Sequence, residues 1–299
     1  MAHDELVSKL NAGLFDLTPS PMILIKPRVF AKLECCNNTG SVKDRFVFSV
    51  VKDAVLRGVI TSQTVLIEAT SGNTGISLAA AGAALGLRVK IVMPCNMSDE
   101  RKQLLKLFGA EIIEVGPSDF QEAIKVRNDT VFWNIDHWSP MQFENRYNVD
   151  VHAKVTGPEI YTQMKDMFGI TSWDFISGAG TGGTLMGLYE FLTSQNKTKN
   201  VDNRTIQVAP AEPAELHGIQ GINDGADFLL DPTKLHDRFL VSTEDAKLAA
   251  TDFAKTHGLL VGISSGANVV AALKYADAHP KRNVVTLLCD RGERYFSVL

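Results

Sequence analysis

Three stretches of the chain combine residue types and spacing that can do chemistry. The first is Gly178-Ala179-Gly180-Thr181-Gly182-Gly183-Thr184, set between a β-branched, aromatic run and a helix-length segment. Successive backbone N–H groups in such a loop form a nest for an anion, and the helix N-terminus behind it adds positive potential. A phosphate is the natural guest. A tight packing turn would need fewer glycines than Gly178, Gly180, Gly182 and Gly183 together. Gly178, Gly180 and Gly183 also spell G-x-G-x-x-G, and Glu212 lies just past the next apolar run, so this loop alone leaves a dinucleotide reading open. No Gly-Lys-Ser/Thr follows, which excludes a Walker A loop.

The second stretch is Thr70-Ser71-Gly72-Asn73-Thr74-Gly75, again between a strand-like run and a helix-like one. Its hydroxyls, amide and free N–H groups at one helix N-terminus suit a carboxylate, and Asn73 can donate to a ring oxygen. Helix capping by Ser71 or Asn73 is the plainer use. The third is Asn37-Asn38-Thr39-Gly40-Ser41-Val42-Lys43-Asp44-Arg45, where Lys43 sits in a small, polar loop leading into an apolar segment. A lone lysine is usually a solvated charge, whereas a buried one has a lowered pKa and can form a Schiff base. Two anion cradles and one lysine suit a phosphorylated aldehyde cofactor and the carboxylate of an amino acid.

The elements that must hold these loops alternate. Strands are expected at 64–69, 88–93, 111–115, 131–135, 173–177, 205–209, 239–243, 259–263 and 284–289. Helices are expected at 75–85, from the Ser98 cap through Phe108, after Ser118, at 152–168, 184–193, from the Ser242 cap onward and at 265–278. Asp245, three residues after Ser242, completes a capping-box pattern. Strand–helix alternation of this kind gives parallel sheets covered by helices. At 299 residues the chain is long enough for two such layers, with a junction expected between Asn145 and Val155.

Composition narrows the class further. With 30 basic and 34 acidic residues the net charge is -4, which argues against a general nucleic-acid binder. Cys35, Cys36, Cys95 and Cys289 fit no zinc-site spacing and read as free thiols of a reducing compartment. The acidic start resembles no signal peptide, and the uncharged stretch from Thr74 to Leu87 is too short to span a bilayer, so a cytoplasmic location is expected. No histidine pair has metal-ligand spacing, and His137, His152 and His217 read as surface or satisfied positions. Trp133, Trp138 and Trp173 read as core or junction packing. Leu6, Leu10 and Leu14 give the N-terminal arm helical apolar spacing that needs a partner, read here as a second subunit.

The stretches AKLECCNNTGSVKDR, IEATSGNTGISLA, MSDERKQLLKLFGAEII, TGPEI, GAGTGGTLMG, HGIQGI, GISSGA and CDRGERYFS resemble, in order, the fold-type II pyridoxal-phosphate enzymes, and among them the cysteine synthases or O-acetylserine sulfhydrylases. The end CDRGERY is similar to that of cysteine synthase B. Asn38 stands where the family usually has proline. The resemblance implies an α/β fold of two open parallel-sheet domains: residues 38–148 as a moving, substrate-carboxylate domain, and 1–37 with 149–299 as the pyridoxal-phosphate domain. It implies closure on substrate and a homodimer.

It also assigns roles. Lys43 matches the lysine that carries the cofactor and acts as base. Asn73 matches the partner of the ring hydroxyl, Gly180, Thr181, Gly182, Gly183 and Thr184 the phosphate cradle, and Ser264 the partner of the pyridine nitrogen. Thr70, Ser71, Gly72, Thr74, Gln142 and Gly221 match the substrate side, and Cys289 lines it. A neutral serine beside the ring nitrogen suits loss of a β-substituent, giving an aminoacrylate to which sulfide adds. The implied activity is L-cysteine synthesis from O-acetylserine and sulfide. Alternatives are cysteine desulfuration, thiosulfate use, a cystathionine β-synthase-like reaction, or a catalytically silent sensor. Retention of Lys43, Asn73 and the phosphate loop argues against the last. Arg291 and Arg294 are expected either to supply positive potential or to pair with Asp290 and Glu293.

Overall fold

The structure is a computed structural model that describes every residue except 1, 12, 14, 71, 214–215 and 223–227. In chain order the strands are β1 (Met22–Lys26), β2 (Val29–Lys32), β3 (Val65–Ala69), β4 (Arg88–Pro94), β5 (Glu111–Val115), β6 (His137–Trp138), β7 (Asp174–Gly178), β8 (Thr205–Pro210), β9 (Asp237–Val241) and β10 (Val284–Leu287). The helices are α1 (Ala2–Leu10), α2 (Lys43–Leu56), α3 (Asn73–Leu85), α4 (Asp99–Leu107), α5 (Phe120–Trp133), α6 (Tyr147–Val151), α7 (Gly157–Phe168), α8 (Gly183–Lys199), α9 (Thr243–His257) and α10 (Ile263–Ala278). Among the described residues no helix is long and apolar enough to cross a membrane.

The chain divides into two compact units. The first comprises Met1–Thr18, Asn37–Asn145 and Arg294–Val298, and the second Pro19–Cys36, Arg146–Glu293 and Leu299. The chain passes from the first unit to the second at 145/146. Residues 1–18 and 294–298, expected with the phosphate-binding part, associate with the first unit instead.

The first unit holds a four-stranded parallel sheet in the order β5-β4-β3-β6. β3 is buried along its whole length, as its unbroken VLIEA run demands of a central parallel strand. Helix α3 is rich in Ala and Gly because it packs tightly: a Cβ on Gly82 would stand 2.2 Å from Val89 Cγ2. Ile67, Ala69 and Val92 meet Ala123 of α5 in the core, with Ile124, Val126 and Val131 packed against them. The strand expected at 131–135 is therefore the end of α5 and the stretch just after it. Its aromatic, β-branched composition is overridden by the helical spacing of Ala123, Arg127 and Val131, and the strand moves to β6, where His137 pairs with Val65. Trp133, expected to pack, is 77% exposed, while Trp173 of the second unit is buried.

Helix α1 lies on α2 and α3 of its own unit, with Leu6 and Leu10 buried and Lys9 Nζ donating to Leu85 O at 3.2 Å. The arm's apolar face is thus covered by its own chain, and the case for a second subunit built on that face does not stand. Leu14 lies outside the described residues.

The second unit holds a six-stranded sheet, β1-β2-β10-β7-β8-β9, parallel except for the β1–β2 hairpin. That hairpin turns through Pro27 and Arg28. Arg28 has φ of +69°, and its guanidinium donates to Ala276 O and His279 O at the end of α10, which holds the turn. No strand forms at 259–263. Gly258, in the left-handed conformation, ends α9 and Ile263 opens α10, leaving room for a single bridge from Val261 to Arg291. Ser242 caps α9 as its spacing predicts, accepting from Asp245 N at 3.1 Å. Ser98 occupies the N-cap of α4, but its hydroxyl donates to Arg294 O and makes no cap. The TSGNTG loop leaves the carboxyl end of β3 and the glycine loop that of β7, the ends at which open α/β sheets bind ligands, while the Lys43 loop follows the short 3-10 turn Glu34–Cys36.

Candidate active site

In the first unit, Lys43 is the first residue of α2 and half-buried, its N–H donating to Ser41 Oγ at 3.3 Å. Asp44 behind it is fully buried. Its carboxylate accepts from Thr39 N at 2.6 Å and from the Thr39 and Ser77 hydroxyls. Burial pushes this carboxyl above the usual carboxylate range, against those hydrogen bonds and Arg294, which pull it down. The Ser77 hydroxyl also lies 3.0 Å from Asn73 O, so the Lys43 loop and the start of α3 share one polar cluster.

The TSGNTG loop leaves β3 and opens α3. The helix N-cap is Gly72, at φ +151°, which has no side chain of its own to cap the helix. The first N–H groups of α3 are thus arranged for a carboxylate ligand. Gly72 N donates to Thr70 Oγ1 at 3.1 Å. Gln142, on the stretch after β6, lies across the same strand end: Thr74 Oγ1 donates to its Oε1 at 2.6 Å, and its Nε2 donates to Ala69 O at 2.7 Å. Ser71 lies outside the described residues.

Two residues that the motif reading passed over hold Gln142 in place. Glu68 Oε2 accepts from Gln142 N at 2.9 Å, while its Oε1 accepts from Ala69 N at 2.8 Å and from Arg127 Nη1 at 3.2 Å. Arg127 also donates to Glu144 Oε1 at 2.9 Å. Burial pushes the Glu68 carboxyl up to about 7, opposed mainly by the Arg127 guanidinium. The detectable signal was a charged residue inside the otherwise apolar VLIEA run.

In the second unit, the glycine loop leaves β7 and enters α8 through Gly182 at φ +87°, a residue with no side chain of its own to cap the helix. The backbone takes a path closed to side chains: a Cβ would stand 2.5 Å from Gly221 O at Gly180, 2.5 Å from Leu230 N at Gly182 and 2.4 Å from Asn148 Oδ1 at Gly183. Thr181 Oγ1 receives Asn148 Nδ2 at 3.0 Å and Gly183 N at 3.4 Å, which leaves its own proton to donate outward. Thr184 Oγ1 lies 3.1 Å from His152 Nε2, and His152 Nδ1 lies 2.9 Å from Thr156 Oγ1. His152 is the satisfied residue expected from the sequence, but its partner is a cradle hydroxyl.

Ser264 is buried at the second position of α10. Cys289 follows β10 and is half-buried. Its N donates to Ser265 Oγ at 2.8 Å, and Asn268 Nδ2 approaches its Sγ at 3.4 Å. Asn268 also accepts from Gly178 N at 2.8 Å, linking Cys289 to the root of the glycine loop. Arg291 Nε donates to Cys35 O at 3.0 Å, and Arg294 donates to Asn73 Oδ1 and Thr39 O in the first unit, so both guanidiniums bond elsewhere than the expected acids.

The first unit therefore gathers Lys43, Thr70, Gly72, Asn73, Thr74 and Gln142. The second gathers the cradle from Gly180 to Thr184 with Gly221, and Ser264 with Cys289 at neighbouring element ends. A family model described as pyridoxal-phosphate dependent enzyme matches residues 16–290. The chain is 39% identical to cysteine synthase B of Campylobacter jejuni, over 93% of this chain and 94% of that protein. A hydrogen sulfide-producing enzyme of Fusobacterium nucleatum superposes with a TM-score of 0.81 at 36% identity, covering 90% of this chain and 83% of that one. A cysteine synthase of Entamoeba histolytica superposes with a TM-score of 0.82 at 32% identity, covering 95% and 88%. With its motifs in order and these relatives matched along nearly its whole length, the chain belongs to the cysteine synthase family of pyridoxal-phosphate dependent enzymes.

Proposed function

We propose that the chain makes L-cysteine from O-acetylserine, or a similarly activated serine, and sulfide. The observation that carries this reading is the pair of glycine N-caps, Gly72 of α3 behind TSGNTG and Gly182 of α8 behind GTGG, together with Lys43 at the head of α2. They are anion seats of different make. The α8 seat, with N–H donors and the Thr181 and Thr184 hydroxyls, fits a phosphate. The α3 seat, with hydroxyls and the amide of Gln142, fits an α-carboxylate.

The cofactor's phosphate would rest on Gly180, Thr181, Gly182, Gly183 and Thr184, its ring oxygen on Asn73 and its ring nitrogen on Ser264. When bound, pyridoxal phosphate draws electrons from the substrate Cα, which eases loss of the Cα proton and of the β-substituent. Lys43 Nζ would carry the cofactor, take the Cα proton and return it. Thr70, Ser71, Gly72, Thr74 and Gln142 would hold the carboxylate, with Gly221 bordering the substrate. Over the whole reaction the Cβ–O bond breaks, acetate leaves with its electron pair, and HS⁻ forms the Cβ–S bond. A neutral serine hydroxyl at the ring nitrogen, in place of a carboxylate, would favour β-replacement over transamination.

In this reading the first compact unit is the moving, carboxylate-binding part and the second binds the phosphate. A non-reactive amino acid should then alter tryptophan fluorescence and amide exchange. The enzyme would act in the cytoplasm, where its four free thiols persist, and as a homodimer, which sedimentation at micromolar concentration tests.

The deciding assay adds O-acetylserine, serine and cysteine separately to the cofactor-loaded protein, with and without sulfide. Sulfide-dependent cysteine formation from O-acetylserine, exceeding that from serine, is the expected result. Absence of cysteine formation from any activated serine would refute the reading. The likeness to a hydrogen sulfide-producing enzyme at 36% identity favours, as second reading, the release of sulfide from cysteine, which the cysteine arm reports directly.

A further inference from the structure

The last residues of the chain are laced into the first unit. Ser98 Oγ donates to Arg294 O at 3.1 Å, Arg101 Nη2 donates to Tyr295 OH at 2.7 Å with its guanidinium 4.8 Å over the tyrosine ring, and Ser297 N and Oγ donate to the two oxygens of Glu100 at 2.8 and 2.9 Å. The first turn of α4 thus fixes Arg294, which is 3% exposed. From there its guanidinium donates to Asn73 Oδ1 through Nη1 and to Thr39 O through Nη2. A single buried cation therefore spans the residue that heads α3 and the loop that leads to Lys43.

The chemistry of a guanidinium settles which way the Asn73 amide points. Arginine has five N–H donors and no acceptor, so only the oxygen of the amide can face it. The Nδ2 group must face the other way, fixed as a donor. The positive charge also polarises the amide and strengthens that donor. Without the guanidinium the amide is free to present oxygen to an acceptor, with loss of one hydrogen bond and a repulsion in its place.

We propose that Arg294 is a positioning residue that fixes Asn73 as a hydrogen-bond donor to the ring oxygen of the bound cofactor. The inference rests on the reading of Lys43 and Asn73 given above. Through Thr39 the same side chain ties the Lys43 loop to that amide, so the covalent and ring-oxygen contacts of the cofactor share one anchor. The α4–tail lacing supplies the rigidity that such an anchor needs.

The test uses the cofactor-loaded enzyme at one fixed pH, reading the ratio of the ultraviolet to the visible band of the lysine-bound cofactor and the cofactor dissociation constant. Asn73→Ala is the reference. Arg294→Met should move the band ratio in the same direction as Asn73→Ala and weaken cofactor binding about tenfold, the loss of one hydrogen bond to a charged group. Arg294→Lys, which keeps a donor, should restore most of the ratio. The double variant should move the ratio no further than Asn73→Ala alone. A band ratio unchanged in Arg294→Met while Asn73→Ala shifts it, or an additive shift in the double variant, would overturn the proposal. A merely structural role would lower the melting temperature and leave the ratio alone. If Arg294→Met does not fold, Arg294→Leu, which likewise carries no donor, takes its place and the same outcomes apply. A failure of the underlying reading is distinguishable, because then Asn73→Ala itself would leave the band ratio unchanged.

Discussion

The two anion seats are built by different means, although both loops hold glycines where a Cβ would clash: at Gly72 the obstacle is the Arg101 side chain at 2.5 Å, whereas at Gly180 and Gly182 it is backbone. In the second unit the glycine loop is held by exclusion: at Gly180, Gly182 and Gly183 the space a side chain would need is filled by Gly221, Leu230 and Asn148. In the first unit the TSGNTG loop is held by side chains, through Thr74 and Ala69 on Gln142, Glu68 and Arg127 behind it, and Arg294 on Asn73. A seat made of backbone N–H groups on a closed path has one shape and suits a group that stays. A seat made of hydrogen-bonded side chains can release and regrip, which suits a substrate that arrives and leaves.

The largest effect that would break this contrast is expected at Gly182. Gly182→Val adds a branched side chain 2.5 Å from the Leu230 backbone and at φ +87°, a combination costing on the order of 3 kcal/mol or more. The purified variant should lose its cofactor on gel filtration, as read by the visible band. Retained cofactor would show that the seat is not shaped by exclusion.

Next in size is Arg127→Met, which leaves buried Glu68 without its guanidinium and should cost about 3 kcal/mol in urea unfolding. The pH dependence sharpens it. The folded Glu68 carboxyl titrates near 7, above its ordinary value, so the folded chain holds a proton that the unfolded chain has already lost. By linkage, that contribution to stability is present below the ordinary carboxylate range and is lost as pH rises to about 7. Removing Arg127 raises the carboxyl further, so the variant should go on losing stability above pH 7, where the wild-type contribution has levelled off. Parallel curves at acid, neutral and mildly alkaline pH would contradict the coupling.

Gln142→Ala should leave the visible band intact and weaken binding of the amino acid about tenfold, the loss of one hydrogen bond to a charged group. A spectral titration with O-acetylserine measures it, and an equal loss of cofactor would blur the distinction between the seats. The smallest effect is expected at Cys289, whose thiol meets Asn268. Cys289→Ser should keep the cofactor and most of the first half-reaction rate while changing the preference between sulfide and larger sulfur donors, read by competition. Complete loss of the first half-reaction with cofactor retained would make the thiol chemically essential.

Much of the second unit's seat was legible because a backbone-built site leaves its mark in glycines at fixed offsets between a strand and a helix. The first unit's seat was legible only at its surface. TSGNTG and Lys43 stand out locally, whereas Glu68, Arg127 and Arg294 converge from positions far apart in the chain, and no local spacing connects them. The fold followed a similar division. Buried parallel strands such as VLIEA and TIQVA read directly from their apolar runs. VFWNI did not, since the helical face shared with Ala123 and Arg127 outweighed its composition. LLVGI failed because so little chain separates the end of α9 from the start of α10. The Asn73 amide direction was illegible for a further reason: it depends on an arginine more than two hundred residues away.

Whether Lys43 carries the cofactor can be tested without any assay of turnover. The loaded protein is reduced with borohydride, digested, and the fixed adduct located by mass spectrometry, with Lys43→Ala treated in parallel. One adduct is expected, on the peptide containing Lys43, and no visible band in the variant. An adduct on another lysine, or a variant that retains the lysine-bound band, would contradict it.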